Sequence, residues 1–149
     1  MSSYKKIVVG TDGSDTSLRA VDRAGALAGD AGAELIIVCA YEPASREEVK
    51  AASDALKEDA YQVVGSAPAE SVLRDAADRA RSGGAAKIDT VAVQGSPVEV
   101  LGDTVEDRNA DLLVVGSVGL NTLSGRILGS VPQSVARRAG VDVLIVHTT

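Results

Sequence analysis

The sequence has almost no aromatic side chains: it contains three tyrosines and neither phenylalanine nor tryptophan. Its core must therefore be built from aliphatic residues, and it lacks the aromatic platforms on which single-stranded nucleic acids stack. It is also short of positive charge, because 15 lysines and arginines face 21 aspartates and glutamates, for a formal net charge of −6. An acidic chain repels a phosphate backbone, so we expect no nucleic-acid partner.

Cysteine, histidine and long apolar segments are equally scarce. The single cysteine, Cys39, excludes an intrachain disulfide, offers no zinc-ligand spacing and is predicted to be a buried strand thiol within LIIVCA. The only histidine, His147, follows the last apolar run, so a Ser-His-Asp enzyme is not expected. No apolar run approaches the ~18 residues of a membrane span, and MSSYKKIVVG lacks the apolar stretch of a signal peptide. We therefore expect a cytoplasmic protein without a membrane partner.

What is present is an alternation of apolar runs and helical segments over 149 residues, a length that suits a single domain spanning residues 1–149. Continuous rather than alternating apolar runs are typical of strands buried on both faces. They predict five strands, at residues 6–10, 34–40, 87–93, 112–115 and 143–146. Strands that alternate with helices indicate an α/β fold with an open parallel sheet and helices on both faces.

The predicted helices are delimited by capping residues. Ser14 or Asp15 can cap a helix that runs to about Ala28, and Ser96-Pro97 begins another. Residues 45–64 have a helical pattern that Pro68 interrupts, and helix resumes over residues 70–81. A last helix is predicted over residues 131–139, ending at Gly140.

Ligands of such a sheet bind at the carboxyl ends of the strands. Asp12 follows the first strand, where it can cap the loop or the next helix, hydrogen-bond a ribose hydroxyl, or hold a metal that bridges phosphates. A receiver domain also places an aspartate at a strand end, but it needs an acidic cluster and a lysine after the fifth strand. Here His147 and Thr148 follow that strand, so this alternative is rejected.

The fourth strand leads into a glycine-rich loop, GSVGLNTLSGRILGS, with glycines at 116, 119, 125 and 129. Glycine lets backbone N–H groups approach an anion closely, and Gly129-Ser130 precedes a predicted helix whose free N–H groups favour negative charge. These features predict a phosphate site, although a tight loop alone would also use glycines. The spacing matches neither GxxxxGK[ST] nor the compact GxGxxG, and no GxSxG motif is present.

The spacing Gly-x2-Gly-x9-Gly-Ser resembles the nucleotide motif of the universal stress protein family, and Gly116, Gly119, Gly129 and Ser130 match it in full. The opening IVVGTDGSDTSLRAVDRA, the segment DLLVVGSVGL and the closing VDVLIV are also similar to that family. The resemblance covers nearly the whole chain. It implies strand order 3-2-1-4-5 and a crevice that binds an adenine nucleotide.

Transferred position by position, the resemblance also implies roles for individual residues. Asp12 would contact ribose, or Mg²⁺ if Mg-ATP binds, and Gly116 would lie near the ribose. The backbone from Val38 to Ala40 would meet the adenine edge, and phosphate would be held by Gly119, Gly129, Ser130 and Val131. The resemblance further implies a homodimer: in this order the strand from Val143 to Val146 lies at a sheet edge, where an apolar strand invites pairing with its copy.

One residue departs from the ATP-binding pattern of the family. Many ATP-binding members carry Arg or His between the first two glycines, whereas this chain has Val118, and Arg126 is the only cation in residues 116–130. A single compact phosphate would suit this loop better than a triphosphate, so we expect cyclic AMP to bind in preference to ATP. Two alternatives stay open: an ATP-binding protein with slow ATPase or autophosphorylation activity, and an interaction module that binds no nucleotide. We expect a regulatory binding protein more than an enzyme, and the downstream partner is unknown.

Overall fold

The computed structural model describes residues 3–41, 66–117, 134 and 137–147. Five apolar segments form the strands β1 (Lys6–Gly10), β2 (Glu34–Tyr41), β3 (Lys87–Gln94), β4 (Leu112–Gly116) and β5 (Asp142–Val146). All neighbouring pairs are parallel and the order is β3-β2-β1-β4-β5. The predicted α/β class and strand order are confirmed, and each strand lies within one residue of its predicted bounds at both ends.

The three complete helices among the described residues are α1 (Asp15–Ala31), α2 (Ser66–Ser82) and α3 (Pro97–Arg108). Helix α1 begins at the predicted cap: the Ser14 hydroxyl accepts a hydrogen bond from Ser17 N at 3.2 Å. Its end is three residues later than predicted, at a left-handed Gly32 with φ of 65°. Helix α3 starts at Pro97 as predicted, although the Ser96 side chain makes no capping hydrogen bond.

Pro68 does not interrupt a helix, which corrects the sequence-based expectation. Helix α2 already begins at Ser66, so Pro68 lies in its first turn. Proline is tolerated there because the first N–H groups of a helix have no partner within the helix. The predicted helix over residues 45–64 lies outside the described residues. Of the predicted last helix, residues 134 and 137–139 are described and are helical.

The sheet separates two hydrophobic layers. On one face, α1 and α2 cover alternate residues of the central strands, among them Ile7, Val9 and Ile37. On the other face, α3 covers the intervening residues, among them Val8 and Ile36. Both faces of β1 and β4 are therefore buried, which is why their sequences read as unbroken apolar runs.

Helices α1 and α2 pack closely because glycine lies at the contact. A β-carbon added to Gly29 would lie 2.7 Å from the carbonyl oxygen of Gly84, which no real side chain tolerates. Gly84 follows the end of α2, and further along the same helix Val72 lies against Gly13 in the turn that follows β1.

Candidate functional site

The turn after β1 is held by its own side chains. The carboxylate of Asp12 accepts a hydrogen bond from Ser14 N through Oδ1 at 2.9 Å, the geometry of an Asx turn. Gly13 lies between them with φ of +85°, and an added β-carbon would lie 2.8 Å from Cγ2 of Val72 on α2. Glycine is therefore required for both backbone conformation and space. Asp12 itself is exposed, and its Oδ2 has no hydrogen-bond partner among the described residues.

Beneath this turn lie two hydroxyl groups that the sequence analysis did not single out. Thr11 and Ser17 are each 1% exposed, and their hydroxyl oxygens are 2.7 Å apart. The Ser17 hydroxyl oxygen also accepts from Asp12 N at 3.3 Å, and that of Thr11 accepts from Gly13 N at 3.1 Å. The spacing Ser14-x-x-Ser17 at a helix start was the available signal, because the third helical residue often reaches back to the preceding turn.

The end of β2 carries backbone groups that β1 does not pair. Strand β2 pairs with β1 only as far as Val38, whose carbonyl accepts from Thr11 N at 2.9 Å, but it continues to Tyr41 along β3. In a parallel ladder, alternate residues direct their N–H and C=O groups to the same side. Ala40 therefore turns its backbone groups toward the β1 side, where no strand continues in the described part of the chain.

Cys39 lies at this strand end, and its thiol is buried as predicted. Burial, and to a smaller degree the negative charge of Asp12, raise the pKa of the Cys39 thiol to about 11. The thiol is therefore protonated at neutral pH and is a poor nucleophile.

The end of β4 supplies the first glycine of the nucleotide motif. Gly116 is buried, and the next residue donates from Ser117 N to the carbonyl of Val146 at 2.7 Å. The paired strands align Val9 with Val114, so continuing the register by two residues brings Thr11 level with Gly116. On the β2 side, Gly10 is aligned with Val38, so continuing that register by two residues brings Asp12 level with Ala40.

The structure thus brings four of the nine predicted site residues, Asp12, Val38, Ala40 and Gly116, to one edge of the sheet. The other five, Val118, Gly119, Gly129, Ser130 and Val131, lie outside the described residues. The described part of the site contains a carboxylate acceptor, the backbone groups of Ala40 that β1 does not pair, and the buried glycine at the end of β4. It can recognise hydroxyl groups and a heterocycle edge, and no nucleophile in it is activated.

The described residues contain no cluster of three or more His, Cys, Asp or Glu side chains arranged to hold a metal ion. No helix among them is long and apolar enough to cross a membrane.

Comparison with known proteins gives the same architecture. The model of the universal stress protein family matches residues 3–147. Universal stress protein Rv1636 of Mycobacterium tuberculosis (strain H37Rv) is 55% identical over 149 residues, with all of both chains covered. Its crystal structure superposes with a TM-score of 0.62 at 48% identity, covering 100% of this chain and 99% of the other.

A second solved structure carries a ligand. A universal stress protein crystallised in complex with cAMP is 49% identical, with a TM-score of 0.78, and the match covers 99% of this chain and 100% of that one. Sequence, strand order and these matches lead to one conclusion: the chain belongs to the universal stress protein family.

Proposed function

We propose that this protein is a single nucleotide-binding domain, residues 1–149, that binds cyclic AMP in preference to ATP and acts as a regulatory module without turnover. The observation that carries this proposal is the 49% identical universal stress protein crystallised with cAMP, whose match covers 99% of this chain. The proposal is supported by the backbone groups of Ala40, which β1 does not pair, and by the exposed carboxylate of Asp12, since adenosine offers hydrogen-bonding partners for both.

In the proposed pose the nucleotide lies across the carboxyl ends of β2, β1 and β4. Adenine presents a donor and an acceptor side by side, which complement the N–H and C=O of Ala40 next to Val38. No strand among the described residues pairs with these two groups, and the Ala40 carbonyl accepts there only a long contact from the Cys39 thiol, at 4.0 Å. The ribose then lies between Asp12 and Gly116, on the two strand ends that flank the crevice. Phosphate is assigned to Gly119, Gly129, Ser130 and Val131, because their sequence places bare backbone before a helix start.

The preference for cyclic AMP rests on charge. ATP brings several negative charges to a chain with a net charge of −6, and residues 116–130 contribute one cation, Arg126. A helix N-terminus adds only about half an elementary charge. Cyclic AMP carries one negative charge, which backbone N–H groups and Ser130 can satisfy without Mg²⁺.

Calorimetric competition between cyclic AMP and ATP tests the proposal, in chelator-containing buffer at fixed salt. We expect cyclic AMP to bind at least tenfold more tightly, a difference of about 1.4 kcal/mol. Val118→Arg is the matched variant: it adds the missing cation and should narrow the gap by strengthening ATP. Tighter binding of ATP in chelator, an unchanged ATP affinity in Val118→Arg, or metal-dependent release of ADP would contradict the proposal.

We also propose a homodimer through the strand from Val143 to Val146. Strand β5 is a sheet edge, and its Ile145 is 47% exposed, the one large hydrophobic side chain among the described residues with such exposure. A groove of about 600 Å³ between α1 and β5 adjoins it. A monomer at micromolar concentration in sedimentation velocity would contradict this.

We assign the protein to the cytoplasm because its proposed ligands are intracellular nucleotides.

A further inference from the structure

The two buried hydroxyl groups of Thr11 and Ser17 are unusual for this molecule. The only other buried polar residue among those described is Thr104, whose hydroxyl donates to the carbonyl of Val100 within its own helix at 2.7 Å. The Thr11–Ser17 bond instead joins the end of β1 to the first turn of α1. Burying a hydroxyl is unfavourable unless it is hydrogen-bonded, so a buried pair at this junction fixes the geometry between strand and helix.

Counting donors sets the direction of every bond in this network. The Ser17 hydroxyl has one proton, which it donates to the carbonyl of Ser14 at 3.0 Å. Its oxygen then accepts from Asp12 N and from the Thr11 hydroxyl, at 3.3 and 2.7 Å. The Thr11 oxygen accepts in turn from Gly13 N at 3.1 Å. Both hydroxyl groups are thus fully used, and each holds a backbone N–H of the turn.

This arrangement decides what the turn offers to a ligand. The N–H groups of Asp12, Gly13, Ser14 and Ser17 all donate to side-chain oxygens within the turn. They are therefore unavailable to a phosphate, although they lie at a helix N-terminus. The Asp12 carboxylate also leaves an acceptor, because its Oδ2 has no partner among the described residues. This exposed oxygen can accept a hydrogen bond from a ligand group that donates one.

We propose that Thr11 and Ser17 are positioning residues that hold the Asp12 carboxylate for the ribose 2′-hydroxyl of the nucleotide and thereby select ribose over deoxyribose. This inference rests on the proposed function. In 3′,5′-cyclic AMP the 3′ and 5′ oxygens belong to the cyclic phosphate, so the 2′-hydroxyl is the only ribose donor. Thr11 and Ser17 do not touch the ligand; they set the position of the turn that does.

The test measures the ratio of affinities for cyclic AMP and 2′-deoxy cyclic AMP in four proteins. Wild type should prefer cyclic AMP by about tenfold or more, since a hydrogen bond to a charged group is lost with the deoxy ligand. Thr11→Val removes the hydroxyl at nearly constant volume and should reduce the ratio to below threefold. Thr11→Ser restores the hydroxyl and should restore the ratio. Thr104→Val removes a buried hydroxyl far from the turn and should leave the ratio at the wild-type value.

A ratio is informative here because a general loss of stability lowers the affinity for both ligands together. Ser17→Ala is a second variant on the other side of the bond and should also lower the ratio if Thr11→Val fails to fold. A wild-type ratio near one, or a Thr11→Val ratio equal to that of wild type, would overturn the inference while cyclic AMP binding stands. Failure of the wild type to bind either ligand would instead overturn the proposed function.

Discussion

An aspartate lies beside each end of β1 and accepts hydrogen bonds from backbone N–H groups: Asp111, which precedes β4, and Asp12, which follows β1. The two carboxylates differ in how many of their oxygens are used. At the amino end, Asp111 accepts from Lys5 N at 2.9 and 3.3 Å and from Lys6 N at 3.1 Å, so both of its oxygens are occupied. At the carboxyl end, Asp12 uses Oδ1 for Ser14 N and keeps Oδ2 free of the described residues.

This difference in hydrogen bonding marks Asp111 as a structural carboxylate and Asp12 as a candidate ligand-binding carboxylate. An ionised carboxylate has about four acceptor positions. Asp111 uses its oxygens to fasten the start of β1 beside β4, whereas the turn around Asp12 is already held by Thr11 and Ser17. A carboxylate whose acceptor positions are not all used within the described residues can accept a hydrogen bond from a ligand. The comparison predicts that the two aspartates fail in different ways when they are replaced.

The largest expected effect is on stability at the amino end. Asp111→Ala leaves the N–H groups of Lys5 and Lys6 without their charged acceptor and should lower the free energy of unfolding by about 2 kcal/mol. Urea titration monitored by far-ultraviolet circular dichroism would measure it. Cyclic AMP affinity should change less than twofold in the folded variant. If Asp111→Ala lost as much free energy of cyclic AMP binding as free energy of unfolding, the proposed difference between Asp111 and Asp12 would be contradicted.

Asp12→Ala should show the opposite pattern, with a smaller energy. It removes one hydrogen bond to Ser14 N, which should cost about 0.5–1 kcal/mol of stability because Ser14 still caps α1. Affinity for cyclic AMP should fall by about tenfold or more, measured by calorimetry. Asp12→Asn is the matched control, since it retains an acceptor without charge and should lose less affinity. An affinity unchanged in Asp12→Ala would make Asp12 structural, like Asp111.

The smallest expected effect is on the pH dependence of stability and comes from Cys39, whose thiol pKa is raised in part by the charge of Asp12. Because burial and Asp12 raise the pKa of the folded thiol from 9.0 to about 11, the folded state keeps its proton where the unfolded state loses it. The resulting stability is fully present below pH 9 and is lost as the pH rises toward 11. Wild type should therefore lose more stability than Cys39→Ala across that interval.

Thermal unfolding at several pH values would measure this difference, because the remaining titrating groups are common to both proteins. In Asp12→Asn the loss should be smaller and should end at a lower pH, because one cause of the raised pKa of the folded thiol is gone while the pKa of the unfolded thiol is unchanged. Parallel pH profiles of wild type and Cys39→Ala would show that the thiol pKa is not raised by the fold.

The sequence by itself determined the elements of this fold. Short apolar runs such as KIVVG favour strands buried on both faces, and Ser14 and Gly32 mark helix ends through local hydrogen bonding and backbone conformation. These signals are local, so they were read without knowing the neighbours of each strand. Local signals failed at Pro68, since a proline that breaks a helix and one in its first turn look alike in sequence.

Only the tertiary structure decided how those elements combine at the site. Apolar periodicity does not say which strands are adjacent; the order came from the family resemblance and is established by the pairing of β1 with both β2 and β4. Continuing the register of that pairing past the end of β1 brings Asp12 level with Ala40 and Thr11 level with Gly116, residues 28 and 105 positions apart. The sequence also could not show that one Asp12 oxygen accepts from Ser14 N while the other has no partner among the described residues, because this depends on the conformation of the turn between strand and helix.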